Sequence, residues 1–376
     1  MHHSEEFVLP LISSLPLLPP RDKVEGYTKA FFERVWPIVP VVDQASLQAE
    51  IDNVLDLQSK YVEAFYAHLT PINITNLSII YTVVCIGIDE TSGRLTETST
   101  AYLTAAYGLY GHLVALPYAT SVQALTLLAV ALRGQSKDGQ AWQVLGQAIR
   151  IAHSIGLHKP AQHQDGPLAP ESSPVNSPLN SRIWLSCCAL ERLMQLECGR
   201  PSQLSDKDME EPPVGLVPPT GPNYFTAWIS LARIMGQISD RFYSRRPTSS
   251  LDLFETVQYL DGMLLDWEKS LPDGVRASQD GVYDIEQETE GYQPHLASFL
   301  SMQFYLVSRY LGAEVHPGHS QLTFFLGTHD PPPPLTHLPP KKLRRRDKAP
   351  PRKSPLLQQT VQHSAHLLRR RPLHHT

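Results

Sequence analysis

The sequence predicts an all-α protein, a single large multi-helix body with a disordered Pro/Arg-rich C-terminal tail. Apolar residues recur at helical spacing through most of residues 21–312, and no segment with period-2 alternation has a partner strand nearby. After residue 312 this periodicity ends, and Pro, Lys and Arg dominate the composition. We therefore expect an extended Pro-rich leader over 1–20, a helical body over 21–312 and a disordered basic tail over 313–376.

Residues 121–160 predict the centre of the core, two packed helices joined by a short polar turn. The first, 121–132, is apolar almost all round. The second has two neighbouring apolar stripes and a narrow polar face, so it should be mostly buried. Ser136 is its expected N-cap and Gly156 its expected end. The stripes consist of Trp142, Leu145, Ile149, Ala152 and Gly156, and of Val144, Ala148, Ile151 and Ile155.

Further helices are predicted on the N-terminal side of this pair. One runs over 22–36, and Ser46 is the expected cap of the next. The stretch NLSIIYTVVCIG, residues 76–87, is rich in β-branched residues, but the lack of partner strands favours a helix. A single helix is expected over 96–116.

On the C-terminal side, residues 161–180 lack periodicity and predict an exposed loop. The next helix ends at Gly199 and Pro201, and an acidic turn containing Asp206 and Asp208 follows. One stripe of that helix consists of Ile183, Cys187, Leu190 and Met194. The remaining predicted helices cover 224–243, 251–270 and 295–311, which brings the expected total to roughly nine to twelve.

Charge is distributed unevenly along the chain. Residues 331–376 contain eleven Lys or Arg and one acid, a net charge of +10, so the first 330 residues carry −15. An acidic body is a poor surface for nucleic acid, because phosphate binding requires clustered positive charge.

Neither secretion nor membrane insertion is expected. Glu5 and Glu6 stand where a signal peptide has positive charge, and apolar runs such as 122–132 are shorter than the roughly 20 residues that cross a bilayer. The cysteines lie in apolar helical contexts without metal-ligand spacing, which favours buried thiols in a reducing, intracellular compartment. These cysteines are Cys85, Cys187, Cys188 and Cys198.

Four stretches together resemble one known family. They are YTKAFFERVWPIVPVV at 27–42, AWQVLGQAIRIAHSIGLHK at 141–159, RIWLSCCALERLMQLECGRPSQLSDKD at 182–208, and LLDWEKSLP at 264–272. In this order they resemble the fungal-specific transcription factor domain, the middle homology region of fungal zinc-cluster regulators. The second and third are the more specific, and the resemblance covers roughly residues 15–312.

The resemblance implies a non-catalytic, all-helical regulatory module that acts in the nucleus on RNA polymerase II transcription. The partners it implies are proteins of the transcription machinery or a DNA-binding partner, a small-molecule effector, and a second copy of the chain as a homodimer. It implies no cofactor in this chain. Zinc is expected only in the family's N-terminal six-cysteine cluster, which binds DNA.

Two departures from the family pattern limit this inference. There is no cysteine before Cys85, so these residues cannot build the six-cysteine cluster, and contact with DNA is expected to be indirect. The family's helical body usually continues past the equivalent of Gly312, where this chain becomes Pro/Arg-rich. From these departures we expect either that the chain is truncated at both ends or that its gene model is incorrect.

A basic run over 341–353 is the candidate nuclear import signal, since it is a short cluster of positive charge. A sequence-independent phosphate contact and an accident of a mis-spliced reading frame are the alternatives. The candidate residues are Lys341, Lys342, Arg344, Arg345, Arg346, Lys348, Arg352 and Lys353.

Other polar and aromatic residues predict structural roles. His153 and His158 lack a nearby carboxylate or Cys at ligand spacing, so a metal site there is not expected. The pair Glu191–Arg192 predicts a surface or partly buried ion pair. Arg200–Pro201 and the acidic turn predict a helix stop and a structural turn. The expected core anchors are Trp142, Trp184 and Trp267.

The alternative functions are an all-helical metal-dependent enzyme of the isoprenoid type and a ligand-free helical scaffold. The enzyme needs two facing Asp-rich clusters that hold Mg²⁺ on a diphosphate. The nearest candidates, Asp206–Lys207–Asp208 and Asp89–Glu90, do not supply two such clusters.

Overall fold

The computed structural model describes residues 15–61, 65–159, 178–200, 202–205, 208–209, 223–244, 247–271 and 293–315. All regular secondary structure in these ranges is helical, which confirms the predicted all-α class. The helices are α1 (Arg21–Arg34), α2 (Gln44–Lys60), α3 (Pro71–Ser92), α4 (Glu97–Gly108), α5 (Tyr110–Ala115), α6 (Ala119–Gly134), α7 (Asp138–Ile155), α8 (Pro178–Cys198), α9 (Tyr224–Ser239), α10 (Ser250–Ser270) and α11 (Pro294–Val315). A short 3₁₀ helix covers Phe65–His68, and a π-helical turn, Asp240–Ser244, follows α9.

The helices pack in a chain of neighbours around one continuous core. α3 lies against α1, α4 and α6, and α6 packs along α7. α8 contacts α6, α7 and α9, and α9 then joins α10 and α11. α6 and α8 are buried on nearly all sides, so they form the middle of the molecule.

The central pair α6–α7 matches the sequence prediction closely. α7 buries both predicted stripes except the half-buried Trp142, Ile155 and Gly156. It ends at Gly156, which adopts the left-handed conformation at φ 80°, while the N–H of Leu157 donates to the Ala152 carbonyl at 2.9 Å. These are features of a Schellman C-cap, which glycine favours because it has no Cβ.

The predicted role of Ser136 as an N-cap is wrong. The N-cap of α7 is Lys137, without a side-chain hydrogen bond, and Ser136 has a positive φ of 58°. Ser136 instead closes α6: its N–H donates to the Arg133 carbonyl at 2.9 Å, and Lys137 N–H donates to the Leu132 carbonyl at 2.8 Å. The hydrogen bonds that close the C-terminus of α6 involve every residue of this short turn, so no residue remains to cap α7 with its side chain.

Two other local predictions are corrected. Asp43, rather than Ser46, caps α2, since its carboxylate accepts from both the backbone N–H and the hydroxyl of Ser46 at 3.0 Å. The single helix expected over 96–116 is two helices, α4 and α5, which meet at Leu109 (φ −84°, ψ 0°), whose N–H donates to the Ala106 carbonyl at 3.2 Å. Leu109 is 2% exposed, so the residue at this junction lies in the core.

The helix predicted over 76–87 is confirmed as part of α3, which is longer than the apolar runs suggested. α3 is the one helix in the described ranges that is long and apolar enough to cross a membrane. However, 78% of its most apolar window is buried inside the protein, as in a core helix.

Several predicted segments lie partly or wholly outside the described residues. α8 begins at Pro178, inside the loop predicted over 161–180, and α11 ends at Val315, beyond the predicted end at 311. Residues 272–292, between the last two predicted helices, and the tail beyond residue 315 lie outside the described ranges.

Candidate functional site

Helix α8 carries charged side chains inside the core. Glu191, Arg192 and Glu197 are 4%, 1% and 7% exposed. Charged groups are rarely buried without partners, because removing them from water costs several kcal/mol. We define these three residues and their partners as the α8 polar cluster.

Glu191 holds the segment that follows α8. Its Oε1 accepts from the backbone N–H of Gln203 at 2.9 Å, and its Oε2 accepts from the hydroxyl of Ser202 at 3.0 Å. Burial raises the pKa of this carboxyl, and the two hydrogen bonds and the Arg192 charge oppose the rise. The carboxylate of Glu191 thus attaches the segment 202–204 to the core.

Arg192 joins α8 to the end of α9. Its Nη1 donates to Gln195 Oε1 at 3.1 Å and to the Ser202 hydroxyl at 3.3 Å, and it lies 3.9 Å from Asp240 Oδ1 in the π-helical turn. Gly236 of α9 leaves room for the guanidinium, since a Cβ there would lie 2.8 Å from Arg192 Nε. The predicted surface or partly buried Glu191–Arg192 pair is therefore wrong, because both residues lie in the core and bind other segments.

Glu197 forms the third contact of the cluster, with Arg133 of α6. Two parallel hydrogen bonds join the guanidinium to the carboxylate, Nη1 to Oε2 at 2.6 Å and Nη2 to Oε1 at 3.3 Å. The two side chains are 13% and 2% exposed. The sequence analysis missed this pair, although a Glu inside the apolar run LMQLEC was a signal for it.

The two histidines expected to be structural lie beside Trp184. The rings of His153 and His158 are 4.9 Å apart, and His153 lies 5.0 Å from the Trp184 ring. Burial, with the charge of His158, lowers the pKa of His153 despite the opposing charge of Asp208. In the described ranges, no three His, Cys, Asp or Glu side chains meet in a way that could hold a metal ion.

The predicted tryptophan anchors are confirmed with one difference. Trp184 and Trp267 are buried, and their indole N–H groups donate to the carbonyls of Asp208 at 2.8 Å and Ala227 at 2.9 Å. Trp142 is only half-buried, and the Arg200 guanidinium covers its ring at 4.6 Å from the centroid. Such a cation–π contact stabilises the structure by about 0.5–1 kcal/mol at an exposed site.

The acidic turn has a structural role where it is described. Asp208 Oδ2 accepts from the backbone N–H of Ser205 at 2.6 Å and from its hydroxyl at 2.8 Å. Asp206 and Pro201 lie outside the described residues.

The Asp89–Glu90 pair is occupied by protein groups. Asp89 Oδ2 accepts from Gln135 Nε2 at 3.3 Å and lies 4.0 Å from the Cys85 thiol, and burial raises the pKa of the Asp89 carboxyl. Glu90 lies 3.6 Å from Arg34 of α1. These acids join helices, so they do not form the outward-facing cluster that a metal-bound diphosphate needs.

The cysteines are free thiols, and three of them are buried. Burial raises the pKa of Cys187 to about 12, so this thiol is neutral and unreactive at pH 7. A regulator-type zinc cluster needs six closely spaced thiolates, so the four cysteines of this sequence do not fit it. The candidate import residues between Lys341 and Lys353 lie outside the described ranges.

The α8 polar cluster joins α6, α8, the end of α9 and the segment 202–204, and comparison with known proteins identifies the domain that contains it. The model of the family "Fungal specific transcription factor domain" matches residues 28–269, which include the second half of α1, all of α2 to α9, and α10 except its last residue. The chain belongs to this family. The α8 polar cluster lies within the matched part of the domain.

Curated relatives of this domain are transcription regulators. An ABC-transporter-regulating transcription factor of Aspergillus fumigatus is 30% identical over 166 residues, which are 40% of this chain and 18% of that protein. Sorbicillinoid biosynthetic cluster transcription factor 2 of Penicillium rubens is 26% identical over 315 residues, 76% of this chain and 43% of that protein. Cutinase transcription factor 1 beta of Fusarium vanettenii is 34% identical over 91 residues, 24% of this chain and 10% of that protein. The chain spans less than half the length of each of these relatives, and no solved structure matches it at a significant level.

Proposed function

We propose that this chain is the non-catalytic regulatory body of a fungal transcription regulator that acts in the nucleus. The observation that carries the proposal is the family match over residues 28–269, which covers the whole α8 polar cluster. The names of the relatives differ in what is regulated, ABC transport, cutinase or sorbicillinoid biosynthesis, and agree only in transcription. We therefore propose no target gene for this chain.

In this proposal the body responds to a small-molecule effector or a protein partner. A ligand changes the population of two states only when it binds one of them more tightly than the other. The α8 polar cluster supplies discrete contacts that two states could make differently, since Glu191 holds 202–204 and Arg192 holds the π-helical turn. Short π-helical turns occur often at functional positions.

Contact with DNA would come through a partner or through a zinc cluster on the same regulator. The first 330 residues carry a net charge of −15, which opposes direct phosphate binding. The partners we propose are proteins of the transcription machinery, a DNA-binding protein, and a second copy of the chain. This chain itself is proposed to need no cofactor.

The test is a tethering assay in a fungal host. The full chain is fused to an unrelated DNA-binding domain, and transcription of a reporter with the matching sites is measured. A change in either direction, relative to the DNA-binding domain alone, supports the proposal. Equal reporter output from both proteins, at equal expression in the nucleus, would contradict it.

A pair of variants in the same assay connects the function to the cluster. Asp240→Asn weakens the link between Arg192 and the π-helical turn, and Asp266→Asn is the control, because Asp266 is an exposed acid that lies 3.7 Å from the exposed Lys269. We expect the first to change reporter output at unchanged protein level and the second to leave it unchanged. Equal output from both variants and the parent would exclude a role of this contact in regulation.

A further inference from the structure

Residues 15–20, which precede α1, form an extended segment on the surface where α2, α3 and α4 meet. One side chain of each helix binds its backbone, Gln58 of α2, Tyr81 of α3 and Tyr102 of α4. The two hydroxyls donate to the carbonyls of the second and third residues at 2.5 and 2.7 Å, and the Gln58 amide oxygen accepts from the Leu18 N–H at 3.2 Å. We call the surface formed by these three side chains the leader groove.

Burial along the segment follows a pattern of three. Leu15 and Leu18 are each 7% exposed, whereas Leu17 is 46% exposed and Pro16 is half-buried. In polyproline II conformation residues i and i+3 share one side, and Pro-rich segments of this kind bind to aromatic-lined grooves. The groove therefore selects leucine at the first and fourth positions. It binds the rest through backbone groups, which requires only that the fourth residue has an N–H and so is not proline.

The C-terminal region contains the same pattern a second time. Residues 15–21 read LPLLPPR and residues 335–341 read LTHLPPK. The first, fourth, fifth and sixth positions are identical, and the seventh is basic in both. The differences, Thr336 and His337, fall at the half-buried and the exposed position, and Leu338 keeps the N–H that Gln58 would accept. The second copy lies outside the described residues, and its sequence meets each requirement of the groove.

We propose that residues 335–338 bind in the leader groove in place of residues 15–18, so that two segments of one chain compete for one site. The exchange concerns only the first four positions of the pattern. Pro20 stays with α1, because its carbonyl accepts from the N–H groups of Lys23 and Val24 at 2.9 and 3.1 Å.

The tail is long enough to reach the groove of its own chain. Nineteen residues separate Val315 from Leu335, and they span about 66 Å when extended. A compact domain of about 300 residues has a diameter of about 50 Å. Residues 15–18 are joined directly to α1, so they have the higher effective concentration. Binding of the tail is therefore the minor state of the parent, and it increases when the first segment is weakened.

Charge favours the tail at the same place. A hydrogen bond and the charge of Asp52, with smaller contributions from Glu25 and Asp56, raise the pKa of Arg21, so three acids lie where the segment enters α1. The tail continues instead into KKLRRR, residues 341–346, which carry five positive charges. Opposite charges attract over the Debye length of about 8 Å. The bound tail thus brings part of the candidate import run against these acids and covers it.

Fluorescence anisotropy with the full chain tests the exchange. The probe is a labelled peptide of residues 333–343, and the control peptide has Leu335→Ala and Leu338→Ala, which keep every Pro and Lys. Both proteins in the assay carry the same two changes in their own tail, so that only the peptide competes. One of them also carries Leu15→Ala and Leu18→Ala, which weaken the first segment. We expect the probe to bind this variant at least ten times more tightly than the other protein, and at least ten times more tightly than the control peptide binds it.

A second measurement keeps the first segment intact. Leu17→Cys offers a site for a fluorophore, since Leu17 is 46% exposed and three of the four native cysteines are buried. An excess of the probe peptide should release the segment and lower the anisotropy of the fluorophore, and the control peptide should not. Thermal unfolding checks that each variant remains folded.

Three results would overturn the proposal. They are equal affinity of the probe for the two proteins, or no binding at about 1 mM; equal affinity of the probe and the control peptide, which would reduce the contact to charge; and an unchanged fluorophore signal at saturating probe. Binding of the tail does not depend on transcriptional activity. A probe that binds as expected, with a silent reporter in the tethering assay, would contradict the proposed function alone.

Discussion

At the scale of single residues, the pair Arg133–Glu197 joins α6 to α8 by two hydrogen bonds in the core. Glu197→Gln leaves the buried Arg133 without its counter-charge, so we expect the free energy of unfolding to fall by about 3–5 kcal/mol. Urea denaturation measures this change. Asp266→Asn is the control, since its partner Lys269 is exposed, and we expect a loss below about 0.5 kcal/mol. A loss below 1 kcal/mol for Glu197→Gln would show that the pair contributes little.

Asp89 predicts a dependence of stability on pH. Burial raises the pKa of its carboxyl in the folded protein, opposed by hydrogen bonds from Ser99 and Gln135. The folded state therefore binds this proton more tightly than the unfolded chain, whose Asp has a pKa of about 3.9. Ionisation of Asp89 thus destabilises the fold at neutral pH, and this penalty disappears as the pH falls through the raised pKa towards about 4.

Asp89→Asn tests the direction of this pH dependence of stability. The amide mimics the neutral carboxyl, so we expect the melting temperature at pH 7 to exceed that of the parent. The difference should shrink as the pH falls from 7 to about 4, because the parent then becomes neutral at this position too. Thermal unfolding at several pH values gives the comparison. A difference that is constant with pH would show that Asp89 does not titrate in this range.

At the scale of helices, Gly87 fixes the distance between α1 and α3. A Cβ at this position would overlap the carbonyl oxygen of Tyr27 and lie 2.7 Å from its Cα. Both obstacles are backbone atoms that cannot move without moving α1. We therefore expect Gly87→Ala to destabilise the protein by about 2–3 kcal/mol, measured by urea denaturation.

Gly26→Ala provides the matched control, one helix away. A Cβ at Gly26 meets no atom within 4 Å, and Gly26 lies inside α1. Alanine should stabilise this helix by about 0.5–1 kcal/mol, because glycine loses more backbone entropy on folding. Equal effects of the two substitutions would mean that α1 and α3 can separate freely.

The turn between α6 and α7 predicts a stabilising substitution. Ser136 adopts φ 58°, a left-handed conformation that costs a residue with a Cβ about 1 kcal/mol. Ser136→Gly should therefore raise the free energy of unfolding by about 0.5–1 kcal/mol, less the entropy that glycine adds to the unfolded chain. If Ser136 were instead an N-cap of α7, the same change would be neutral or destabilising.

At the scale of the whole molecule, the acidic body and the basic C-terminal region differ strongly in charge. Replacement of Lys341, Lys342, Arg344, Arg345 and Arg346 by Gln removes most of the candidate import signal. We expect the nuclear share of a fluorescent fusion to fall at least twofold, because import signals are read as clustered positive charge. Substitution of Arg369, Arg370 and Arg371 by Gln is the control for loss of charge alone. Unchanged nuclear entry of the first variant would remove the import role from this run.

The periodicity of the chain was sufficient to predict most of the fold, and the reason lies in particular helices. Six of the nine residues in the α7 stripes, and all four of the stripe from Ile183 to Met194 in α8, are buried as predicted. A helix that must hide one face repeats its apolar residues every three or four positions, and this repeat is visible in the sequence alone. Gly156 was predicted to end α7 for a similar reason, since the freedom of glycine to adopt a positive φ depends on the residue itself and not on its tertiary neighbours.

The candidate site was less predictable, because its contacts join residues distant in sequence. Arg133 and Glu197 are 64 positions apart, and Arg192 meets Asp240 only after α8 and α9 pack together. The caps of α2 and α7 were misplaced for a related reason: several polar residues near each turn can cap a helix, and geometry selects one.

The sequence by itself therefore determined the all-α class, the approximate positions of the helices, the uneven charge and the family resemblance. All of these follow from local composition and spacing. The tertiary structure alone decided which charges are buried, which helices they join, and where residues 15–18 lie against the body. Burial and pairing depend on the three-dimensional neighbours of a residue, and a single sequence does not specify those neighbours.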